Sequence, residues 1–311
     1  MEAGGSLAIS FVEAMPILLV GVFAYGIAEF LHLHFRKQAA RLGEYRMSGI
    51  AVLVIALVTV VFAAFTPFTN TLYAAVGSNY ALFDAGLSPL GFLYGLVAYE
   101  FAYWVQHWLA HNVRLLWCLH SPHHAPRSMN MFVGFNHSFV ESVFYMPLML
   151  GLLPALLGVH PIVIGFVSAI DVIWGNLLHI SDRVVTQRYG ILERVLQTPS
   201  YHRVHHAQNV RYMDTNYNSI TLLWDWLMGT LEELDDDEPV DFGITRNVDT
   251  TSFLDVHVGE VRLLWRDVRN AESWKAAVSY LLKPPGWVES GESRTAAARK
   301  ARLQTRLAGG R

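Results

Sequence analysis

The sequence predicts an all-α integral membrane protein, and three observations support this fold class: few charges, many apolar residues, and apolar segments of membrane-helix length. Of the 311 residues, 53% are hydrophobic and 16% are charged, whereas about a quarter of the residues in a soluble domain are charged. The net charge of −3 provides no basic surface, so we do not expect a nucleic-acid partner. The single cysteine excludes a disulfide within the chain.

Five apolar segments have roughly the 20 residues that a helix needs to cross a hydrocarbon core. They cover residues 8–32, 49–75, 90–112, 139–158 and 161–182. The last two are joined by a short turn between Gly158 and Pro161, so they are predicted to form a helical hairpin that either crosses the bilayer or enters it and returns. The sequence therefore predicts four to five transmembrane helices.

The basic residues predict the orientation, because the cytoplasmic flanks of transmembrane helices are enriched in Lys and Arg. The connection between the first two segments contains four of them: Arg36, Lys37, Arg41 and Arg46. None occurs over residues 47–113, and Arg114 and Arg127 follow the third segment. Five spans place all 23 basic residues on one side, with the N-terminus outside and the C-terminus in the cytoplasm.

The chain after Arg183 is polar enough to lie in the cytoplasm. Residues 186–240 are predicted to form a short helical cap, and residues 250–282 one or two amphipathic helices. Residues 292–311 are rich in Arg, Ala and Gly and are predicted to be a frayed tail.

Nine of the 14 histidines fall into three clusters and one satellite position. They are His107, His111, His120, His123, His124, His179, His202, His205 and His206. On a helix, residues three and four apart share a face, so each cluster presents several imidazoles to one side. In the five-span topology the third and fifth segments both end at the cytoplasmic boundary, where two loop-borne clusters meet them. All nine imidazoles are therefore expected at one depth.

Nine imidazoles are too many for one metal ion and suit two ions with four or five ligands each. Imidazole binds zinc, copper, iron and nickel, so the ligand type does not name the metal. The common zinc-hydrolase helix has a catalytic Glu between its two histidines, whereas His107 and His111 enclose Trp-Leu-Ala. Transporter sites lie near the bilayer midplane. A redox di-iron centre that activates dioxygen accounts for both the number and the position of the histidines.

The third cluster lies in the most specific motif, Thr198-Pro-Ser-Tyr-His-Arg-Val-His-His-Ala-Gln-Asn209. This motif is followed by Asp214-Thr-Asn-Tyr217, Trp224-Asp225 and Gly229-Thr230. With the other clusters, residues 90–235 resemble the fatty acid hydroxylase / sterol desaturase superfamily, in its alkylglycerol monooxygenase-like and bacterial sterol desaturase branch. The chain departs from that pattern in three places. They are Asn218 in place of Gly, Trp226-Leu-Met228 in place of Arg-Leu-Phe, and Ala125-Pro126 in place of a Ser pair.

The resemblance implies that the nine histidines bind two Fe ions, which Zn can replace on overexpression. It also implies that the enzyme uses O2 and electrons from a separate donor, which would be a ferredoxin, a cytochrome b5-like protein or a pterin. The implied activity is hydroxylation of a membrane lipid or lipid-like substrate at the cytoplasmic membrane face. Desaturation of a sterol or acyl chain on the same site is the alternative. From other classes, a zinc-dependent membrane hydrolase, a metal-binding transporter or sensor, and a catalytically inactive scaffold also stay open.

The resemblance divides the chain into three regions. Residues 1–89 are expected to form the N-terminal transmembrane helices, residues 90–240 the catalytic domain, and residues 241–311 cytoplasmic helices and the tail. Metal-bound histidines usually donate their second N–H to an acceptor, often a carboxylate. We expect an additional ligand, or hydrogen-bond partners of the ligands, among His137, Asn176, Asp214 and Asp225.

Overall fold

The computed structural model of the protein describes residues 20–38, 42–62 and 66–309. Across these residues the chain is helical and has no strand, apart from two isolated bridges that join Leu196 to Thr221 and Ala207 to Phe242. The predicted all-α class is therefore confirmed for the described part of the chain.

The N-terminal half contains five helices within the described residues. They are α1, described over Val20–Phe35, α2 (Leu42–Phe62), α3 (Thr66–Tyr80), α4 (Pro89–Asn112) and α5 (Arg114–His124). Helix α4 begins where the Ser88 hydroxyl accepts a hydrogen bond from the Gly91 amide at 3.0 Å, with Pro89 in the first turn. Such a cap satisfies an amide that would otherwise lack a partner.

The C-terminal half continues through seven more described helices. They are α6 (Met146–Leu156), α7 (Pro161–Leu178), α8 (Pro199–His205), α9 (Leu223–Met228), α10 (Phe253–Arg269), α11 (Trp274–Leu282) and α12 (Ala296–Gly309). Short 3₁₀ segments occur at Met131–Phe135 and Gly190–Arg194, and a π-helical turn over Glu141–Tyr145 leads into α6. Helices α10 and α11 confirm the helices predicted over residues 250–282.

Helices α4, α6 and α7 form the main hydrophobic core. Ala98 and Tyr99 of α4 pack with Leu150 of α6 and with Val163 and Val167 of α7, and all five are buried. Helices α6 and α7 form the predicted hairpin, and Pro161 occupies the first turn of α7. This packing fixes α4 against α7, and the histidines of both helices lie at their C-terminal ends.

Helix α7 meets the length and hydropathy expected of a membrane span, with a mean hydropathy of 1.8 over 18 residues, and is the one helix in the described ranges that does so. The segments Val20–Phe35 and Glu141–Leu156 are shorter apolar helices. The second predicted span, 49–75, is divided between α2 and α3, and residues 63–65 between them lie outside the described ranges. Residues 8–19 of the first predicted span also lie outside them.

The prediction of a frayed tail over residues 292–311 is wrong for residues 296–309, which form α12. The Thr295 hydroxyl accepts a hydrogen bond from the Ala298 amide at 3.3 Å and caps the helix. Ala, Arg, Leu, Lys and Gln, which dominate this segment, are strong helix formers. The Arg- and Ala-rich composition that predicted a frayed tail is therefore also the composition of a helix.

Gly158, in the turn between α6 and α7, has a φ of +83°, and a Cβ there would collide with the backbone oxygen of Phe83. Gly190 also has a positive φ, +59°, but its Cβ would meet open space. We expect Gly190→Ala to lower the free energy of unfolding by about 1–2 kcal/mol, the cost of a left-handed residue. Gly158→Ala should cost roughly 3 kcal/mol or more, because the backbone must also move.

Thermal unfolding in detergent, followed by circular dichroism at one heating rate, compares the two variants. Equal decreases in Tm in the two variants would contradict the expected collision between the Cβ added at Gly158 and the backbone oxygen of Phe83.

Candidate metal centre

Four helices deliver the nine histidines to one place. His107 and His111 lie in the last turns of α4, and His179 caps the C-terminus of α7, as predicted. The other two clusters lie on short helices rather than loops: one ends α5, with Pro122 inside the helix, and the other ends α8. All nine side chains are buried.

The nine histidines form two groups, in each of which the ligand nitrogens lie within 4.8 Å of one another. The first group consists of His107, His111, His120, His124 and His205, and the second of His123, His179, His202 and His206. The grouping follows helix geometry, because residues four apart share a face and adjacent residues point about 100° apart. On α5 and on α8, the pair spaced by four therefore enters one group and the remaining histidine enters the other.

The nitrogen–nitrogen distances are those expected when the nitrogens bind one shared metal ion. Nitrogens at right angles on an ion about 2.1 Å away are about 3.0 Å apart. In the first group, His120 Nε2 lies 3.0 Å from His107 Nε2 and 3.1 Å from His124 Nε2. In the second, Nε2 of His202 lies 2.8 Å from that of His179 and 3.0 Å from that of His206.

Two further nitrogens need a partner. His111 Nε2 and His205 Nε2 are buried, and among the described residues neither has a hydrogen-bond partner. A buried polar atom left unpaired costs about 1–3 kcal/mol. A metal ion in the first group would satisfy both atoms, and the closely spaced Nε2 atoms of the second group offer a second ion a similar set of nitrogens, so the donor set fits a two-metal centre.

Backbone carbonyls fix the tautomer of four imidazoles. The acceptors are Tyr217 for His107 at 2.7 Å, Val133 for His123 at 3.0 Å, Gly175 for His179 at 2.6 Å and Thr215 for His205 at 2.7 Å, and the Nδ1 atom is the partner each time. A carbonyl only accepts, so each Nδ1 carries the hydrogen and each Nε2 presents its lone pair. The ligand nitrogens are therefore oriented before any metal binds.

A buried carboxylate supports the first group. Glu141 Oε1 accepts from His120 Nδ1 at 2.6 Å, and Glu141 Oε2 accepts from His137 Nδ1 at 3.0 Å. His137 belongs to neither group of the nine, but its ring stacks on that of His123 at 4.1 Å between centroids. Sequence reasoning favoured Asp214 and Asp225 over Glu141. The signal for Glu141 was its spacing of four residues from His137, which places the two on one helical face.

The other predicted partners lie at different distances from the imidazoles. Asp214 Oδ1 is 3.4 Å from His111 Nδ1. Asn176 has a buried Oδ1 with no hydrogen-bond partner among the described residues, one turn before His179. Asp225 has no hydrogen bond to any of the nine imidazoles in the described structure; it accepts from the amides of Tyr217 and Asn218, both at 2.8 Å. Asp225 thus holds the loop whose Tyr217 carbonyl faces His107.

Burial keeps five of the six imidazoles of α5 and α8 neutral. Loss of hydration, followed by repulsion from neighbouring imidazoles, lowers the pKa of His123, His124, His202, His205 and His206 well below the usual value. Burial raises the pKa of Asp214 to about 6. Neutral imidazole is the form that binds metal, so the site favours the binding-competent state.

The comparisons with known proteins agree with this geometry. Residues 92–230 match the sequence model of the fatty acid hydroxylase family. The resemblance noted from the histidine clusters is confirmed.

Two relatives illustrate the similarity. Alkylglycerol monooxygenase of Homo sapiens is 28% identical over 222 residues, which are 70% of this chain and 47% of that protein. Ornithine lipid hydroxylase OlsE of Rhizobium tropici is 32% identical over 163 residues, 51% of this chain and 48% of that protein. The chain thus spans about half the length of these relatives. No solved structure matches it.

Glu141→Gln should weaken metal binding about 10- to 100-fold, the usual effect of losing the acceptor behind a ligating imidazole. The amide retains one acceptor oxygen and carries no charge, so only one of His120 and His137 keeps a hydrogen-bond acceptor and neither keeps a carboxylate partner. Asp214→Asn is the matched control and should have a smaller effect, because its contact with His111 is longer, 3.4 Å against 2.6 Å. Metal retained after dialysis against graded chelator measures both. A larger loss in Asp214→Asn would reverse this ranking.

The metal-free protein should lose stability as the pH falls below about 6.5, the pKa of an unfolded histidine. Because the folded pKa values of buried imidazoles such as His123, His202 and His205 are lowered, the unfolded state binds more protons below that pH and is favoured. Thermal unfolding of the metal-free protein between pH 7.5 and pH 5 measures this slope. His205→Gln, which removes one such imidazole, should show a shallower slope; an unchanged slope would mean that His205 does not contribute.

Proposed function

We propose that this protein is an O2-dependent, non-haem di-iron hydroxylase that oxidises a C–H bond of a membrane lipid or lipid-like substrate. The observation that supports it most directly is the set of nine buried imidazoles, in two adjoining groups, beside a largely apolar cavity. A cavity of this kind next to a redox metal centre suits an unactivated alkyl group better than a polar metabolite.

The nine histidines would hold the two Fe ions, with Asn176 Oδ1 available to the second group. When bound, the ions would supply dioxygen activation, chemistry that no side chain of the site provides. The protein's part is positioning. Carbonyls fix the imidazole tautomers, Glu141 supports His120, and the apolar cavity wall excludes water and places the substrate carbon.

The relatives support a lipid substrate and an oxygenase reaction. The names of the human and Rhizobium tropici relatives specify a monooxygenase acting on alkylglycerol and a hydroxylase acting on ornithine lipid. For this chain we propose the class they share, hydroxylation of an amphiphile with a long alkyl chain. Desaturation at the same site is a second outcome that product analysis distinguishes.

We further propose that the enzyme is a multi-pass membrane protein with four to five spans, an outside N-terminus and a cytoplasmic C-terminus. The basic residues favour this orientation, and it places the metal centre and its cap, residues 186–240, at the cytoplasmic face. A separate donor would deliver electrons there, and a ferredoxin, a cytochrome b5-like protein and a pterin are the classes to test.

The experiment is metal analysis and O2-dependent lipid turnover on protein purified from iron-supplemented cells. We expect about two irons per chain, and loss of both metal and turnover in the double variant His107→Ala/His205→Ala. His32→Ala, which alters an exposed histidine of α1, is the control and should retain both.

Zinc-loaded protein that hydrolyses lipid without consuming oxygen would favour a zinc hydrolase instead. Protein that binds no metal after reconstitution with ferrous iron would contradict the proposal.

A further inference from the structure

The main cavity runs along one face of α7. It has a volume of about 860 Å³ and is lined by residues of α7 from Pro161 at one end to His179 at the other. At 1.5 Å per residue, these positions are about 27 Å apart. The volume lies in the range of ligand pockets, about 300–1,000 Å³, but the shape is long. A long, narrow site suits an extended chain better than a compact ring system.

The two ends of the cavity differ in polarity. His123, His137, His179 and His202 line the end at the metal centre. Ile162 and Ile164 line α7 toward the opposite end, and Met146 and Leu150 of α6 form an adjoining wall. An amphiphile therefore fits in one direction, with its polar end at the histidines and its alkyl chain along α7.

Small residues of α7 keep the cavity open along this path. Gly175, Ser168 and Gly165 all line it, and their positions are about 6, 16 and 21 Å from His179 along the helix. A Cβ added at Gly175 would lie 3.6 Å from Ser219 Oγ, an ordinary contact. Larger side chains at Ser168 or Gly165 would instead block the cavity at two defined depths.

Part of the wall comes from outside the fatty acid hydroxylase domain. Ile55 of α2 and Tyr73 of α3 line the cavity, whereas the family match begins at residue 92. The Tyr73 hydroxyl donates to the Pro147 carbonyl at 2.7 Å, and its ring packs directly on Gly151 of α6. The shape of the cavity is therefore a property of this chain's own helices and not of the shared domain alone.

We propose that this cavity binds a single extended, unbranched alkyl chain of up to about 20 carbons, and that the small side chains of Gly165 and Ser168 let the chain pass to the far end. An extended chain advances roughly 1.3 Å per carbon, so about 27 Å accommodates about 20 carbons. The carbon nearest the histidines then lies near the polar end of the amphiphile, so oxidation occurs there and not at the distal methyl. The substrate class rests on the proposed function, but chain binding does not require metal.

The test measures binding to metal-free protein in detergent. Straight-chain 1-alkanols of 8 to 22 carbons displace the fluorescent fatty acid cis-parinaric acid. We expect affinity to rise with chain length up to about 20 carbons and then to level off. The chain length at which affinity levels off, called the break below, should fall to about 16 carbons in Gly165→Leu and to about 12 carbons in Ser168→Leu. These values follow from the distances of the two positions to His179. Affinity for 1-octadecanol should fall at least tenfold in both.

Gly21→Leu is the matched control, because this exposed glycine of α1 has no neighbour within 4 Å of an added Cβ. Its break should stay at about 20 carbons. If a Leu variant melts below this control, Ser168→Val replaces it and should give a smaller shift in the same direction. An identical break in every variant, or affinity that does not depend on chain length in the unmodified protein, would overturn the proposal. Shifted breaks without O2-dependent turnover would support the alkyl site while removing the hydroxylase.

Discussion

The structure depends on one constraint: nine imidazoles are buried together, and their metal-binding nitrogens must present lone pairs to two shared points. Protonation of any of them would place a positive charge in a low-dielectric interior beside other imidazoles, which is costly. The protein meets the constraint mainly with its backbone. Carbonyls of Tyr217, Val133, Gly175 and Thr215 accept from four of the rings. Because a backbone acceptor carries no net charge, it fixes the tautomer and stabilises a protonated ring less than a carboxylate would.

The loop over residues 214–221 is built to supply two of those carbonyls. Asp214 and Asn216 adopt the left-handed conformation, with φ of 52° and 56°, which Asp and Asn tolerate better than most residues. Asp225 holds the Tyr217 and Asn218 amides, and Glu100 of α4 accepts from the Thr221 amide at 2.7 Å. Asn218, where the family usually has Gly, donates to the Glu100 carbonyl at 3.0 Å. The departure from the family pattern thus adds an anchor between this loop and α4.

The sequence was sufficient to predict the all-α class, the α6–α7 hairpin and the convergence of the nine histidines, because helical spacing alone places residues three and four apart on one face. It did not indicate which acceptor each ring uses, since backbone carbonyls have no sequence signature. In the sequence, only the spacing of Glu141 from His137 indicated a role for Glu141. Preferring Glu141 to Asp225 as the partner of a ligand required the contact between α5 and the π-helical turn before α6. Helix α12 was missed because an Arg- and Ala-rich segment is compatible with both a tail and a helix.

Helices α5 and α8 each contribute one histidine to the group that the other helix mainly serves, and this arrangement has a thermodynamic consequence. His123 of α5 completes the group built mainly on α8, and His205 of α8 completes the group built mainly on α4 and α5. An ion bound in either group would therefore restrain both helices, including the helix that carries a ligand of the other group. By linkage the benefit is reciprocal, so the two positions should fill cooperatively, and protein holding a single ion should be scarce at partial loading.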